Sequence, residues 1–118
     1  NIQHTDYIEI LNHKRLIMNW IKIATVGQIE EDESLGVELE GKQLAVHHTE
    51  GEYFVTDNIC THQFALLSDG FIEDGCVECP LHQAMFDLRT GEPKSAPATE
   101  PVKVYEAKVE GDDILVNL

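Results

Sequence analysis

Turn-forming residues recur about every ten positions from Trp20 to the C-terminus, a rhythm that leaves no room for a long helix and suits a sandwich or barrel. Between them lie short apolar runs that read as strands. "WIKIATV" (20–26) alternates. "LGVELEGKQLAVHH" (35–48) is two strands joined at Gly41-Lys42, and "EGEYFVTD" (50–57) is a turn and a further strand. "FIEDGCVEC" (71–79) forms a hairpin around Asp74-Gly75, and "AMFDLRTGEP" (84–93) a strand running into a turn. The last eighteen residues, 101–118, read as one hairpin. Val102, Val104, Ala107 and Val109 lie on one arm and Ile114, Leu115 and Val116 on the other. The expected fold class is all-β, a small β-sandwich or barrel. At 118 residues the chain suffices for one domain with a modest core.

Residues 1–17 do not match the rest of the chain. Their charges cancel (Asp6 and Glu9 against Lys14 and Arg15), and Met18 opens a strand like a natural start. They are expected to be an expression leader, with a native helical extension as the rival, and 18–118 to be the folded domain.

Charge narrows the partners. Eight Lys+Arg against 22 Asp+Glu give a net −14, which repels nucleic acid and anionic lipid and favours basic protein partners. The acidic stretch Glu30–Glu33 is either a solvated loop or a steering surface. The sequence holds no apolar run of the ~18 residues needed to span a bilayer, and no signal-peptide pattern, so no membrane association and a cytoplasmic location are expected.

All three cysteines lie between 60 and 79, with two of the six histidines close by. Cys60-Thr61-His62 and Cys79-Pro80-Leu81-His82 each offer one thiolate and one imidazole, sixteen residues (63–78) apart. An odd cysteine count without secretory features points to a metal site rather than a disulfide framework. Pro80 places the second pair on a turn, and residues two apart share no helix face, so both pairs belong on loops. Zinc in a Cys2His2 set is one alternative, and Cys76-x-x-Cys79 offers a knuckle-like pair for it. The order Cys, His, Cys, His in β-like surroundings argues against zinc. Cys76 itself reads as a small buried strand residue. His47 and His48, adjacent on a strand, point to opposite faces and are expected to be structural.

On these residues the sequence resembles the Rieske family, whose pattern is C-x-H followed at this kind of distance by C-x-x-H, holding a [2Fe-2S] cluster. The resemblance implies a Rieske iron–sulfur fold with a cluster-binding subdomain inserted near 58–88. It assigns Cys60 and Cys79 to the inner iron and His62 and His82 to the outer, solvent-facing one. Neutral imidazoles in place of two thiolates leave the cluster less negative and raise its potential over a four-cysteine cluster.

The respiratory branch of the family has two more cysteines, which would sit at 65 and 81, and hydroxyl donors to the cluster sulfurs. Here those positions are Ala65 and Leu81, and the run after the second histidine is Gln83-Ala84-Met85-Phe86. Fewer donors imply a potential at the low end of the Rieske range, about −150 mV. "GVELEGKQLAVHHTEGEYFVTDNICTH", "LSDGFIEDGCVECPLH" and the segment 86–118 are similar to the small ferredoxin component of bacterial aromatic-ring-hydroxylating dioxygenase systems, of the naphthalene, biphenyl and carbazole type. That likeness implies a carrier, not an enzyme, serving aromatic hydrocarbon catabolism. It takes single electrons from an NAD(P)H-dependent flavin reductase to a terminal Rieske oxygenase, and is expected to be a monomer. Gln63, Pro80, Leu81 and Gln83 flank the ligand histidines and are expected to form the docking rim. Gln63 departs from the glycine common there, which bears on partner choice. Leu66, Leu67 and Phe86 are expected to pack beneath the loops. No second histidine pair with a carboxylate suggests a mononuclear iron site, and no Gly-rich fingerprint suggests a flavin or nicotinamide site. Two other readings stand: the small Rieske subunit of an assimilatory nitrite reductase, which shares the fold, and a zinc-stabilised binding module.

Overall fold

Three two-residue turns set the register of the sheets. Glu40-Gly41 joins β2 (Glu33–Leu39) to β3 (Lys42–Thr49), Glu50-Gly51 joins β3 to β4 (Glu52–Asp57), and Asp74-Gly75 joins β5 (Ile72–Glu73) to β6 (Cys76–Glu78). At each turn both residues have positive φ, 52° and 80°, 55° and 74°, and 52° and 73°. Two consecutive left-handed residues match the right-handed twist of the flanking strands, and glycine takes the second place at no steric cost.

The computed structural model describes residues 19–61, 65–80, 84–94 and 100–118. The stretch 1–17, read as a leader, and the residues His62, Gln63, Leu81, His82 and Gln83 lie outside the described residues. Three antiparallel sheets make up the fold. β1 (Trp20–Thr25), β10 (Asp113–Asn117) and β9 (Ala107–Glu110) form one, in the order β1-β10-β9. The second runs β2-β3-β4-β8, with β8 at Val104–Tyr105, and the third β5-β6-β7, with β7 at Met85–Asp87. Among the described residues the helical content is two single 3-10 turns, Val26–Gln28 and Leu67–Asp69, so the all-β expectation holds. No helix among them is long and apolar enough to cross a membrane.

The second sheet separates two cores. Side chains alternate along a strand, so β3 sends Leu44 and Val46 one way and Ala45 and His47 the other. Leu44, Val46 and Val55 join Ile23, Ala24, Ile114 and Val116 in the core shared with the first sheet. The opposite face faces the third sheet. Phe54, paired with His47, packs on a second core of Cys60, Leu67, Val77, Cys79, Phe86, Leu88 and Val102. This face is closely covered: a methyl group at Gly36 would lie 2.9 Å from both Asn58 Nδ2 and Ser68 Oγ.

The C-terminal segment departs from the expected single hairpin. Val102 is buried in the second core, and β8 leaves to pair with β4 through Val55–Tyr105 and Thr56–Val104. Only β9 and β10 form the hairpin.

Candidate metal centre

Cys60 and Cys79 open two hairpin loops that are closed in the same way. The Cys60 N–H donates to the Ala65 carbonyl at 2.9 Å, and the Cys79 N–H donates to the Ala84 carbonyl at 2.6 Å. One step outward, Ile59 bridges Leu66, and Glu78 pairs with Met85. Each cysteine therefore sits at the base of a loop whose four inner residues, 61–64 and 80–83, include one histidine. Alanine five residues after each cysteine is the sequence signal for this closure, and the spacing of cysteine and histidine alone does not reveal it.

Both thiols are buried, Cys60 at 3% exposure and Cys79 at 0%, in the same apolar core. All three cysteines are described, and none is in a disulfide. A thiolate in such a place is stable only with a cation beside it, so this pair fits a metal better than an acid–base or nucleophilic role. Pro80 is exposed on the second loop.

The supports are backbone and short polar side chains. Asn58, buried two residues before Cys60, accepts from the Ser68 N–H at 2.8 Å and donates Nδ2 to Ser68 Oγ at 3.0 Å. Its backbone carbonyl accepts from Leu67 at 2.7 Å. Thr61 donates its hydroxyl to the Glu100 carbonyl at 2.9 Å, tying the first loop to the segment that enters β8. Behind the second loop, Gly70 lies so close that a Cβ there would be 1.7 Å from the Glu78 carbonyl oxygen. Glu78 N–H in turn bonds to Phe71 O at 2.7 Å.

Cys76 lies in β6, outside both loops. Burial raises its pKa, with Asp87 and Asp74 adding to the shift and Lys94 opposing it, so it stays a neutral thiol. Leu67 and Phe86 are fully buried beneath the loops as expected. Leu66 is not: it is 41% exposed, because its backbone bridge to Ile59 turns both side chains outward.

His47 is fully buried and bonded at both nitrogens, Nδ1 to Ser34 Oγ at 2.7 Å and Nε2 to Thr56 Oγ1 at 2.9 Å. Thr56 already donates its proton to the Asp57 carbonyl, at 2.8 Å, so it accepts from Nε2–H, and Ser34 donates to Nδ1. The ring is neutral with the proton on Nε2, and burial pushes its pKa down to about 3. His48, on the other face, stacks on Tyr53 at 4.1 Å and reaches Glu31 at 3.3 Å. Neither histidine joins the cysteine loops.

Residues 19–106 match the Rieske [2Fe-2S] domain. The chain belongs to the Rieske family. Its cofactor is a Rieske-type [2Fe-2S] cluster, and the two buried cysteines at matched loop bases fit the thiolate half of such a site. The zinc-module alternative falls away with that membership. The Rieske chain is 46% identical over 99 residues to the ferredoxin component of the naphthalene 1,2-dioxygenase system of Pseudomonas aeruginosa, spanning 84% of this chain and 95% of that protein. It is 41% identical to the ferredoxin component of biphenyl 2,3-dioxygenase of Rhodococcus jostii, over 82% of this chain and 91% of the relative. Among solved structures, the Sphingomonas yanoikuyae B1 ferredoxin superposes with a TM-score of 0.80 at 36% identity, covering 85% of this chain and 99% of that one.

Proposed function

We propose that this chain is the ferredoxin of an aromatic-ring dioxygenase system. It carries single electrons from an NAD(P)H-dependent flavin reductase to a terminal Rieske oxygenase, in the cytoplasm, as a monomer that catalyses no substrate conversion itself. The observation that carries the reading is the 46% identity to a dioxygenase-system ferredoxin over 95% of that relative's length. That relative is described as the ferredoxin component of its system, and the match runs over nearly all of its length.

In this reading Cys60 and Cys79 hold the inner iron, and His62 and His82 the outer one. Residues 58–88 form the cluster-binding subdomain, and 18–118 is the ferredoxin domain. When bound, the cluster supplies a site that takes up and gives back one electron. The residues around it do the rest. The apolar core of Leu67, Val77, Phe86 and Val102 keeps water from the thiolate side. The two backbone closures fix the loop bases, and Gln63, Pro80, Leu81 and Gln83 form the rim on which a partner rests.

An EPR-monitored redox titration of anaerobically purified protein tests the reading. A Rieske-type signal with a negative midpoint, about −150 mV, is expected. Added reductase and oxygenase are then expected to turn over an aromatic substrate only when this protein is present. A strongly positive midpoint, or turnover that proceeds without the protein, rejects the assignment.

A further inference from the structure

On an acidic protein, the placement of the few cations is informative. Four of the six described cations are neutralised locally. Lys22 pairs with Asp113 (3.2 Å), Arg89 with Glu52 (2.7 Å), Lys108 with Glu110 (3.1 Å), and Lys94 with Asp87 (4.0 Å). The remaining two, Lys42 and Lys103, make no ion pair among the described residues, and both are exposed. They line one groove, together with Gln43, Asp57, Ile59 and Tyr105. Lys103 lies over the Tyr105 ring, 4.8 Å from its centroid. The Asp57 carboxylate on the groove wall is already engaged, accepting the Tyr105 hydroxyl at 2.7 Å.

The groove is built into the frame of the first cysteine loop. Asn58 N–H donates to the Gln43 carbonyl at 2.9 Å, and Asp57 N–H donates to the Lys103 carbonyl at 3.0 Å. Ile59, on the groove wall, immediately precedes Cys60. Ile59 and its bridge partner Leu66 are each 41% exposed, and opposed residues in a bridge project to the same side. An apolar pair, two ammonium groups with no ion pair among the described residues, and the base of the first cysteine loop thus lie side by side. That is the make-up of a protein interface with an apolar centre and a charged edge.

We propose that this flank docks the terminal oxygenase, with Ile59 and Leu66 against an apolar spot and Lys42 and Lys103 receiving a surface carboxylate of the oxygenase. The proposal rests on the ferredoxin reading above. A net charge of −14 repels polyanions, so a single carboxylate inside a protein contact fits better than nucleic acid. A solved complex of reduced oxygenase and oxidised ferredoxin from carbazole 1,9a-dioxygenase, whose matched chain is 30% identical to this one with a TM-score of 0.79, supports the choice of occupant.

The test is a stopped-flow measurement. Chemically reduced protein is mixed with the oxidised oxygenase of the Pseudomonas putida naphthalene 1,2-dioxygenase system, whose ferredoxin is 43% identical to this chain. Lys42→Gln/Lys103→Gln is compared with Lys22→Gln/Lys108→Gln, which removes the same net charge elsewhere, and with Leu66→Ser. EPR of each variant reports whether the cluster is intact. The groove pair is expected to slow second-order transfer roughly tenfold at low salt, the control pair less than about twofold, with the gap closing as salt rises. Leu66→Ser is expected to slow transfer at all salt concentrations. Equal effects of the two lysine pairs, or none, overturn the groove while leaving the ferredoxin reading intact. A wild-type protein with a Rieske signal that passes no electron to this oxygenase overturns the occupant and the oxygenase reading together.

Discussion

Cys60, Cys76 and Cys79 lie within twenty residues of one another, yet their surroundings separate them. Two open closed loops, while Cys76 sits in a strand with its thiol kept neutral by burial and two carboxylates. Cys76→Ser is expected to keep the visible and EPR spectra of the cluster, whereas Cys60→Ser or Cys79→Ser is expected to abolish them; a normal spectrum in either loop variant rejects the ligand assignment. That Cys60 and Cys79 belong on loops was legible in the sequence, because a cysteine and a histidine two or three residues apart is a local signal. His47 was not. Its partners Ser34 and Thr56 reach it only through the register of three strands. The pH dependence follows from its neutral state. The folded ring takes a proton near pH 3 and the unfolded one near 6.5. Above 6.5 the full contribution to stability is present. As pH falls through that window the unfolded chain binds a proton the folded one refuses, and stability is lost by up to about 1.4 kcal/mol per unit. Guanidinium midpoints measured across the window are expected to fall more steeply for the native protein than for His47→Gln. Parallel slopes remove His47 from the account.

At the scale of elements, the strands were readable wherever apolar alternation was flanked by a turn signal. The β5–β6 hairpin at Asp74-Gly75 is the clearest case. The last segment misled because Val102 and Val104 continue the alternation of the following strand, while their destinations are a different core and a different sheet. Alternation fixes which residues face inward but not the sheet they join. Close approach between elements is equally invisible in sequence. Gly70 has an ordinary extended backbone with φ −90°, so nothing local demands glycine there. Space does: a Cβ would collide with the backbone carbonyl of Glu78, one residue before Cys79. Gly70→Ala is expected to cost about 3 kcal/mol and to lower cluster content, since a backbone neighbour cannot turn aside as a side chain can. Iron and acid-labile sulfide assays on freshly purified variant check this, and full occupancy with unchanged stability contradicts it.

The molecule as a whole is two cores on either side of one sheet, and only one of them contains Cys60 and Cys79. The other is mainly aliphatic, with Tyr105 among its members, and is framed by the long ladders of β1 with β10 and β2 with β3. If Cys60 and Cys79 hold the cluster, removing it with a chelator under reducing conditions is expected to burden only the side that contains them. Hydrogen exchange is expected to accelerate through residues 58–88 on cluster removal, while β1, β3 and β10 stay protected. Uniform acceleration across both halves means the cores fold as one unit and rejects this division.

The paired loop closures also bear on the speed of a carrier. Every electron that arrives or leaves alters the charge at the site, and the surroundings must relax before the next exchange. The bases of both loops are pinned by their own main-chain bonds, at Ala65 and at Ala84. Loop bases held in this way are expected to move little between oxidation states. A small reorganisation energy is what lets a weak, brief encounter between proteins pass an electron before it ends.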